Sequence, residues 1–243
     1  PVADIDGEGS EFTLKAGQLL ESVKRVSYAI PQQGGNATMS TMCLQAKGGQ
    51  LNFVGLDGHV LAWDKIDYDG EFELLIPKNT IDKLKTLELT GEVRIRHSNA
   101  MAIFATENFE ICTRLVQGEY YKYQNMFKEL PLHTVISRKE LLNAMVRAKM
   151  CTAEKCPIKF EIAGSQLSLS IKDQTTDYHE TVDLQEDISE ELTIGFDARL
   201  VIETLKAFDC DNVGISLHSP KMPMIIEAED SDFKTIVLPV TIK

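Results

Sequence analysis

The sequence contains no apolar run approaching the ~18 residues a membrane-crossing helix needs, and it does not open on a signal peptide. Paired cysteine motifs are also missing. Cys43, Cys112, Cys151, Cys156 and Cys210 form no CxxC, and an odd set fits reduced thiols better than a disulfide framework or a zinc site. There is no GxGxxG or GxxxxGK[ST] phosphate loop, no HExxH and no GxSxG elbow, which leaves little for catalysis. Asp57-Gly58-His59 sets an acid beside a histidine, but no nucleophile accompanies them, and a turn is the better reading. DIDGEGSE (4–11) lacks the helix-flanked twelve-residue frame of a calcium loop and reads as linker. No cofactor or metal is expected. Positive charge is scarce: 25 Lys and Arg against 37 Asp and Glu leave −12, which opposes gripping nucleic acid by bulk attraction. The first residue is Pro1 rather than methionine, as expected of a processed or truncated piece of a longer chain.

What is present is a globular composition, 43% hydrophobic and 26% charged, in a length that suits one large domain or two ordinary ones. An internal repeat decides for two. FTLKAGQLLESVKRVSYAI (12–30) is answered by TVISRKELLNAMVRAKMCT (134–152), each a strand running into a helix. STMCLQAKGGQLNFVGLDG (40–58) is answered by PIKFEIAGSQLSLSIKDQT (157–175), each alternating around a glycine-containing turn, the hairpin signal. LLIPKNTIDKLKTLELT (74–90) returns as LTIGFDARLVIETLKAF (192–208). GEVRIRHSNAMAIFATENFEICTRLV (91–116) returns as DNVGISLHSPKMPMIIEAEDSDFKTIVLPV (211–240), both with a His-Ser turn. Each unit therefore reads strand–helix–strands–helix–strands, an α+β arrangement with antiparallel sheets. The boundaries expected are a linker at 1–11 and domains at 12–128 and 129–243, with 119–133 as the connection.

Charge is segregated along this repeat. The helix windows 13–30, 77–88, 137–156 and 197–207 carry +2, +1, +3 and 0, so the remainder of the chain holds −18. Helices gathered on one side would present a neutral to positive face to phosphates while the strand side stayed acidic.

With LDGHVLAW (56–63), LLIPKNTIDKL (74–84), RLVQGEYYKY (114–123), LTIGF (192–196) and the terminal IVLPVTI (236–242), the chain resembles the bacterial DNA polymerase III beta subunit, the replicative sliding clamp, from about residue 2 to its end. The resemblance implies a DNA clamp fold. Each domain would have two helices on one face and two four-stranded antiparallel sheets. Three such domains per chain, in a homodimer, would close a ring that slides on duplex DNA and tethers the polymerase. Two units here match the family's second and third domains, with the first absent. The implied role is a non-catalytic, cytoplasmic processivity factor of the bacterial replication fork. Its partners would be double-stranded DNA and, through short linear motifs, polymerase, clamp loader and repair proteins. The two-domain trimeric clamp of archaea and eukaryotes, a stand-alone peptide-binding module and an unrecognised hydrolase are the other readings.

Three sites follow from the resemblance. The DNA-facing set is Lys15, Lys24, Arg25, Lys78, Lys83, Lys85, Arg138, Lys139, Arg147 and Lys149, with Gln33 in the QQGGNAT loop (32–38); any one of these cations would serve equally to solvate a helix. The partner-peptide pocket is carried over onto Met39, Leu56, Gly58, His59, Val60, Leu61, Tyr121, Asn125 and Met126 in the first unit. In the second it comprises Asp197, Leu200, Lys221, Pro223, Ile236, Val237, Leu238, Pro239 and Val240. Aliphatic anchors of an extended peptide suit such a lining, and the methionines adapt to different partners. Plain core is the alternative for Leu61 and Ile236. Val60, Tyr121, Asn125 and Cys156 depart from the family's commonest residues, so a less basic pocket is expected. Met150 and Cys151 fall at the family's ring-closing edge, where helix-end core is the alternative.

Overall fold

The structure, a computed structural model, describes residues 9–32, 35–151, 157–172 and 176–242. Two compact units emerge. One runs up to Asp57 and takes in Ala62–Tyr121; the other takes in Gly58–Leu61 and everything from Lys122 onward.

In the first unit, β1 (Ser10–Lys15) leads into α1 (Ala16–Ser27), so extended chain begins inside the stretch read as linker. β2 (Thr41–Lys47), β3 (Gln50–Leu56), β4 (Val60–Asp67) and β5 (Phe72–Pro77) follow, then α2 (Lys78–Thr86) and β6 (Glu92–His97), β7 (Met101–Ala105) and β8 (Glu110–Arg114). The strands form two four-stranded sheets in the orders β1-β6-β7-β8 and β4-β3-β2-β5. Gly48 and Gly49, at φ 61° and 79°, make the two-residue turn joining β2 to β3, and both positions need the left-handed region that a side chain disfavours. α1 buries Ala16, Leu19, Val23 and Val26, one face of a 3.6-residue period, while Lys24 and Arg25 sit in its last turn, where the helix dipole favours cations.

The second unit repeats the order: β9 (Leu132–Ser137), α3 (Arg138–Met150), β10 (Ile158–Lys172), β11 (Asp177–Phe196), α4 (Ala198–Lys206), β12 (Asn212–Leu217), β13 (Met224–Ala228) and β14 (Lys234–Val237). Strands β9-β12-β13-β14 neighbour one another as β1-β6-β7-β8 do. β10 is one continuous extended segment, yet Ser170 Oγ donates to the Glu161 carboxylate at 3.5 Å. Nine residues of straight strand would separate them by roughly 30 Å, so the segment doubles back at Gly164, where the hairpin was expected. β11 has two matching halves, with 177–183 pairing 166–172 and 192–196 pairing 158–162. Four extended segments thus answer the β2–β5 sheet. Between those halves Leu184 pairs with Ile136 of β9, and Thr134 Oγ1 donates to the Glu186 carbonyl at 2.7 Å.

α3 starts with Ser137, whose hydroxyl accepts from Glu140 N at 3.4 Å, and α4 with Asp197, whose carboxylate accepts from Arg199 N at 2.8 Å. Each unit has its own core. Phe12, Phe72 and His97 cluster in the first, where burial pushes the His97 imidazole below its ordinary range; Phe160 meets Phe196 edge-on, and Phe208 packs at a tilt against Phe233, in the second. Among the described residues no helix is long and apolar enough to cross a membrane.

Candidate functional site

α1 and α2 pack side by side in the first unit, and α3 and α4 in the second. The predicted cations on them divide sharply. Lys15, Lys24, Lys83 and Lys139 are exposed. Arg25 instead pairs with Glu21 at 2.6 Å and with Asp64 at 3.5 Å, and Asp64 is 2% exposed. Burial raises the Asp64 carboxyl, against the opposing pull of Ser22, Arg25 and the Lys65 backbone. Lys78 donates to the Ser27 carbonyl at 2.9 Å and to Asp82 at 3.0 Å, while Lys85 donates to Ser27 Oγ at 2.8 Å. These two lysines, seven positions apart on α2, hold the C-terminal end of α1, where free carbonyls need donors.

Arg138 has a similar duty in the second unit. Its Nε donates to the Cys210 carbonyl at 2.6 Å and its Nη1 to the Leu205 carbonyl at 3.4 Å, tying the start of α3 to the end of α4. Arg147 is exposed but bonded to Glu180 through two N–H groups, and Tyr178 donates its hydroxyl to the same carboxylate. Burial and Glu180 push the Tyr178 phenol up to about 12. Lys149 is exposed. Gln33 lies outside the described residues. Several of the cations counted along the helices are thus tied into the fold by hydrogen bonds and ion pairs.

The apolar candidates divide in the same way. Leu56, Val60, Leu61, Leu200, Ile236 and Val237 are buried, so they shape the wall behind a surface more than they offer one. In the second unit the half-exposed residues are Pro223, Leu238, Pro239 and Val240, beside exposed Gly58, His59, Asn125, Met126 and Lys221. The chain end is held as a rail: Leu238 N donates to the His59 carbonyl and Val240 N to the Gly195 carbonyl, both at 2.8 Å. A Cβ on Gly195 would stand 2.9 Å from the Val240 carbonyl oxygen and 2.5 Å from Ile242 Cγ1, so only glycine admits this approach. Asp197 caps α4 and is therefore structural whatever else it does. Met39 is half-exposed and Tyr121 exposed in the first unit.

Two features escaped the sequence. Met222, 36% exposed between Lys221 and Pro223, was detectable as an apolar residue inside an otherwise polar turn. Val146, 40% exposed, precedes Met150, 82% exposed, by one turn of α3, and the (i, i+4) spacing gives an apolar stripe ending at exposed Cys151. Cys43 is buried, Cys112 exposed and Cys210 half-exposed, none of them in a disulfide, and Cys156 lies outside the described residues. No group of metal-binding side chains occurs among the described residues.

Residues 13–122 match the family model for the central domain of the DNA polymerase III beta subunit, and residues 128–241 match that for its C-terminal domain. The chain is 25% identical over 245 residues to the beta sliding clamp of Pseudomonas aeruginosa, covering 97% of this chain and 67% of that one. It is 22% identical to the beta sliding clamp of Vibrio cholerae, covering 95% of this chain and 65% of the other. Among solved structures, the Pseudomonas aeruginosa DNA polymerase sliding clamp with ligand superposes with a TM-score of 0.93 at 24% identity, across 100% of this chain and 69% of that one. A putative DNA polymerase III beta subunit from Eubacterium rectale gives 0.91 at 24% identity, across 100% and 68%. The chain thus spans about two thirds or less of its curated relatives' length. With both units matched in order, the chain belongs to the DNA polymerase III beta subunit family, in which its first unit is a central domain and its second a C-terminal one.

Proposed function

We propose that this chain is the two-domain part of a bacterial sliding clamp that encircles duplex DNA without reading its sequence and holds replication and repair proteins through short peptides. The domains are assigned as 12–128 and 129–243. The role is processivity rather than catalysis, in the bacterial cytoplasm at replication forks. The observation that carries this reading is the ordered match of both units to consecutive domains of one family. Bacterial relatives favour the three-domain subunit over the two-domain trimeric clamp.

The DNA-facing groups are Lys15, Lys24, Lys83, Lys139 and Lys149, supported by the fixed charges of Arg25, Lys78, Lys85, Arg138 and Arg147; Gln33 is retained in this set. Exposed lysines on a net-acidic body suit a ring that tracks phosphates without adhering to them. The peptide anchors in the second unit are Met126, Pro223, Leu238, Pro239 and Val240, with Met222 adaptable beside them; in the first unit Met39 and Tyr121 are retained as candidates. Val146, Met150 and Cys151 form the ring-closing edge, where the homodimer would be completed.

The deciding experiment is fluorescence anisotropy with a labelled five- or six-residue clamp-binding peptide. Leu238→Asp is expected to abolish binding while leaving the melting temperature within a few degrees of wild type. Retained binding would refute the pocket. For the DNA role, Lys15→Glu, Lys24→Glu, Lys83→Glu and Lys139→Glu combined in the full-length subunit should reduce retention on nicked circular DNA. Unchanged retention would remove that assignment.

A further inference from the structure

We infer that Lys85 is a site of acyl transfer from small acyl phosphates, singled out by the convergence of Lys24, Lys78 and Lys85 where α2 meets the end of α1. The Lys78 and Lys85 ammonium groups both donate to one residue, Ser27, at 2.9 Å and 2.8 Å, and Ser27 is 1% exposed. Lys24 adds a third positive charge from α1, in the last turn of that helix. Among the described residues the carboxylate that opposes Lys85 is Asp82, which already accepts from Lys78 at 3.0 Å and from Gln32 at 3.1 Å. Three cations and one shared anion leave a site that favours an incoming anion.

The same arrangement prepares the nucleophile. Half-burial lowers the Lys85 ammonium below the ordinary lysine range, Lys78 and Lys24 add to the effect, and Asp82 opposes it. Each unit of lowering raises the neutral amine fraction at neutral pH about tenfold, and the neutral amine is the attacking form. Its lone pair attacks the acyl carbon of the acyl phosphate. The C–N bond forms, the C–O bond to phosphate breaks, and the amine proton leaves with the departing phosphate as hydrogen phosphate. No oxidant or metal enters the balance. The product is an uncharged amide, so the modification deletes one positive charge from the α1–α2 face. On the DNA-facing reading this would weaken phosphate contacts, but the site itself does not depend on that reading.

Lys83 is the internal control, since it lies two positions away on α2 and is more exposed. If accessibility governed acylation, Lys83 would react first. Folded protein is incubated near neutral pH with acetyl phosphate, and in a separate arm with acetyl-coenzyme A. Site occupancy is followed over time by mass spectrometry after cleavage at acidic residues. Lys85 is expected to lead Lys83 severalfold with acetyl phosphate and by less with the thioester, and the lead should vanish in urea. Lys78→Gln should slow Lys85, and Asp82→Asn, which removes the opposing carboxylate, should speed it. Lys85 reacting no faster than Lys83 in the folded protein, or a lead that persists in urea, overturns the proposal. Equal leads with both donors overturn its acyl-phosphate specificity.

Discussion

Arg25 and Asp64 show how a charge on a helix comes to serve the interior. Asp64 lies on β4 with 2% of its surface exposed, and Arg25 reaches it from α1 while also holding Glu21. Removing the cation strands a buried carboxylate, so Arg25→Met should lower stability by about 3 kcal/mol, measured by urea unfolding. Asp64→Asn should cost less, because Arg25 keeps Glu21. The pH dependence has a definite sign. A carboxyl that holds its proton more tightly when folded contributes stability below its unfolded value, and that contribution is lost as pH rises through the raised folded value. The melting temperature of wild type relative to Asp64→Asn should therefore rise as pH falls from about 7 to about 4. A difference that is flat, or of the opposite slope, would contradict the burial argument. Charge counting along helices identified Arg25 as a cation but not as a partner. Its acid stands 39 residues away, Arg147 finds Glu180 across 33, and Arg138 finds the Cys210 carbonyl across 72, distances at which local pattern carries no information.

At the scale of elements, the sequence was informative wherever structure is local. Periodicity placed α2 within 77–88, where it occupies Lys78–Thr86, and α4 within 197–207, where it occupies Ala198–Lys206. The His-Ser turns recur as read: Ser98 N donates to the Met101 carbonyl at 2.9 Å and Met222 N to the Ser219 carbonyl at 3.1 Å. The terminal rail was legible only as an apolar stretch beside a proline. What fixes it are hydrogen bonds to His59 and Gly195, remote in sequence. Gly195→Ala tests this element: the added methyl must push aside the Val240 carbonyl or Ile242. Peptide affinity should fall at least as much as stability, which should drop by about 1–3 kcal/mol. Asp197→Ala separates capping from binding. It should cost about 1 kcal/mol through the lost cap, and Asp197→Ser should recover most of that stability. If Ser restored stability but not peptide affinity, the carboxylate would contact the peptide directly.

For the whole molecule, the balance of −12 sets what the isolated chain can do. The exposed lysines of the DNA-facing set number five and would release few counterions, so affinity for a linear duplex should be weak and nearly gone at about 0.15 M salt, as gel-shift titration would register. Tight binding to linear DNA at that salt would mean bulk attraction rather than encirclement, and would count against the ring.

The division into units has one more consequence. Gly58–Leu61 belongs with the second unit although residues of the first flank it on both sides, and its His59 carbonyl receives the Leu238 N–H. A protease cut at Tyr121–Lys122 therefore yields no self-sufficient halves. The later fragment would lack four of its own residues, and the earlier one would carry a tetrapeptide that belongs elsewhere. The later fragment alone should therefore unfold at a lower temperature than the same residues do in the uncut chain, as a melting curve of each would show.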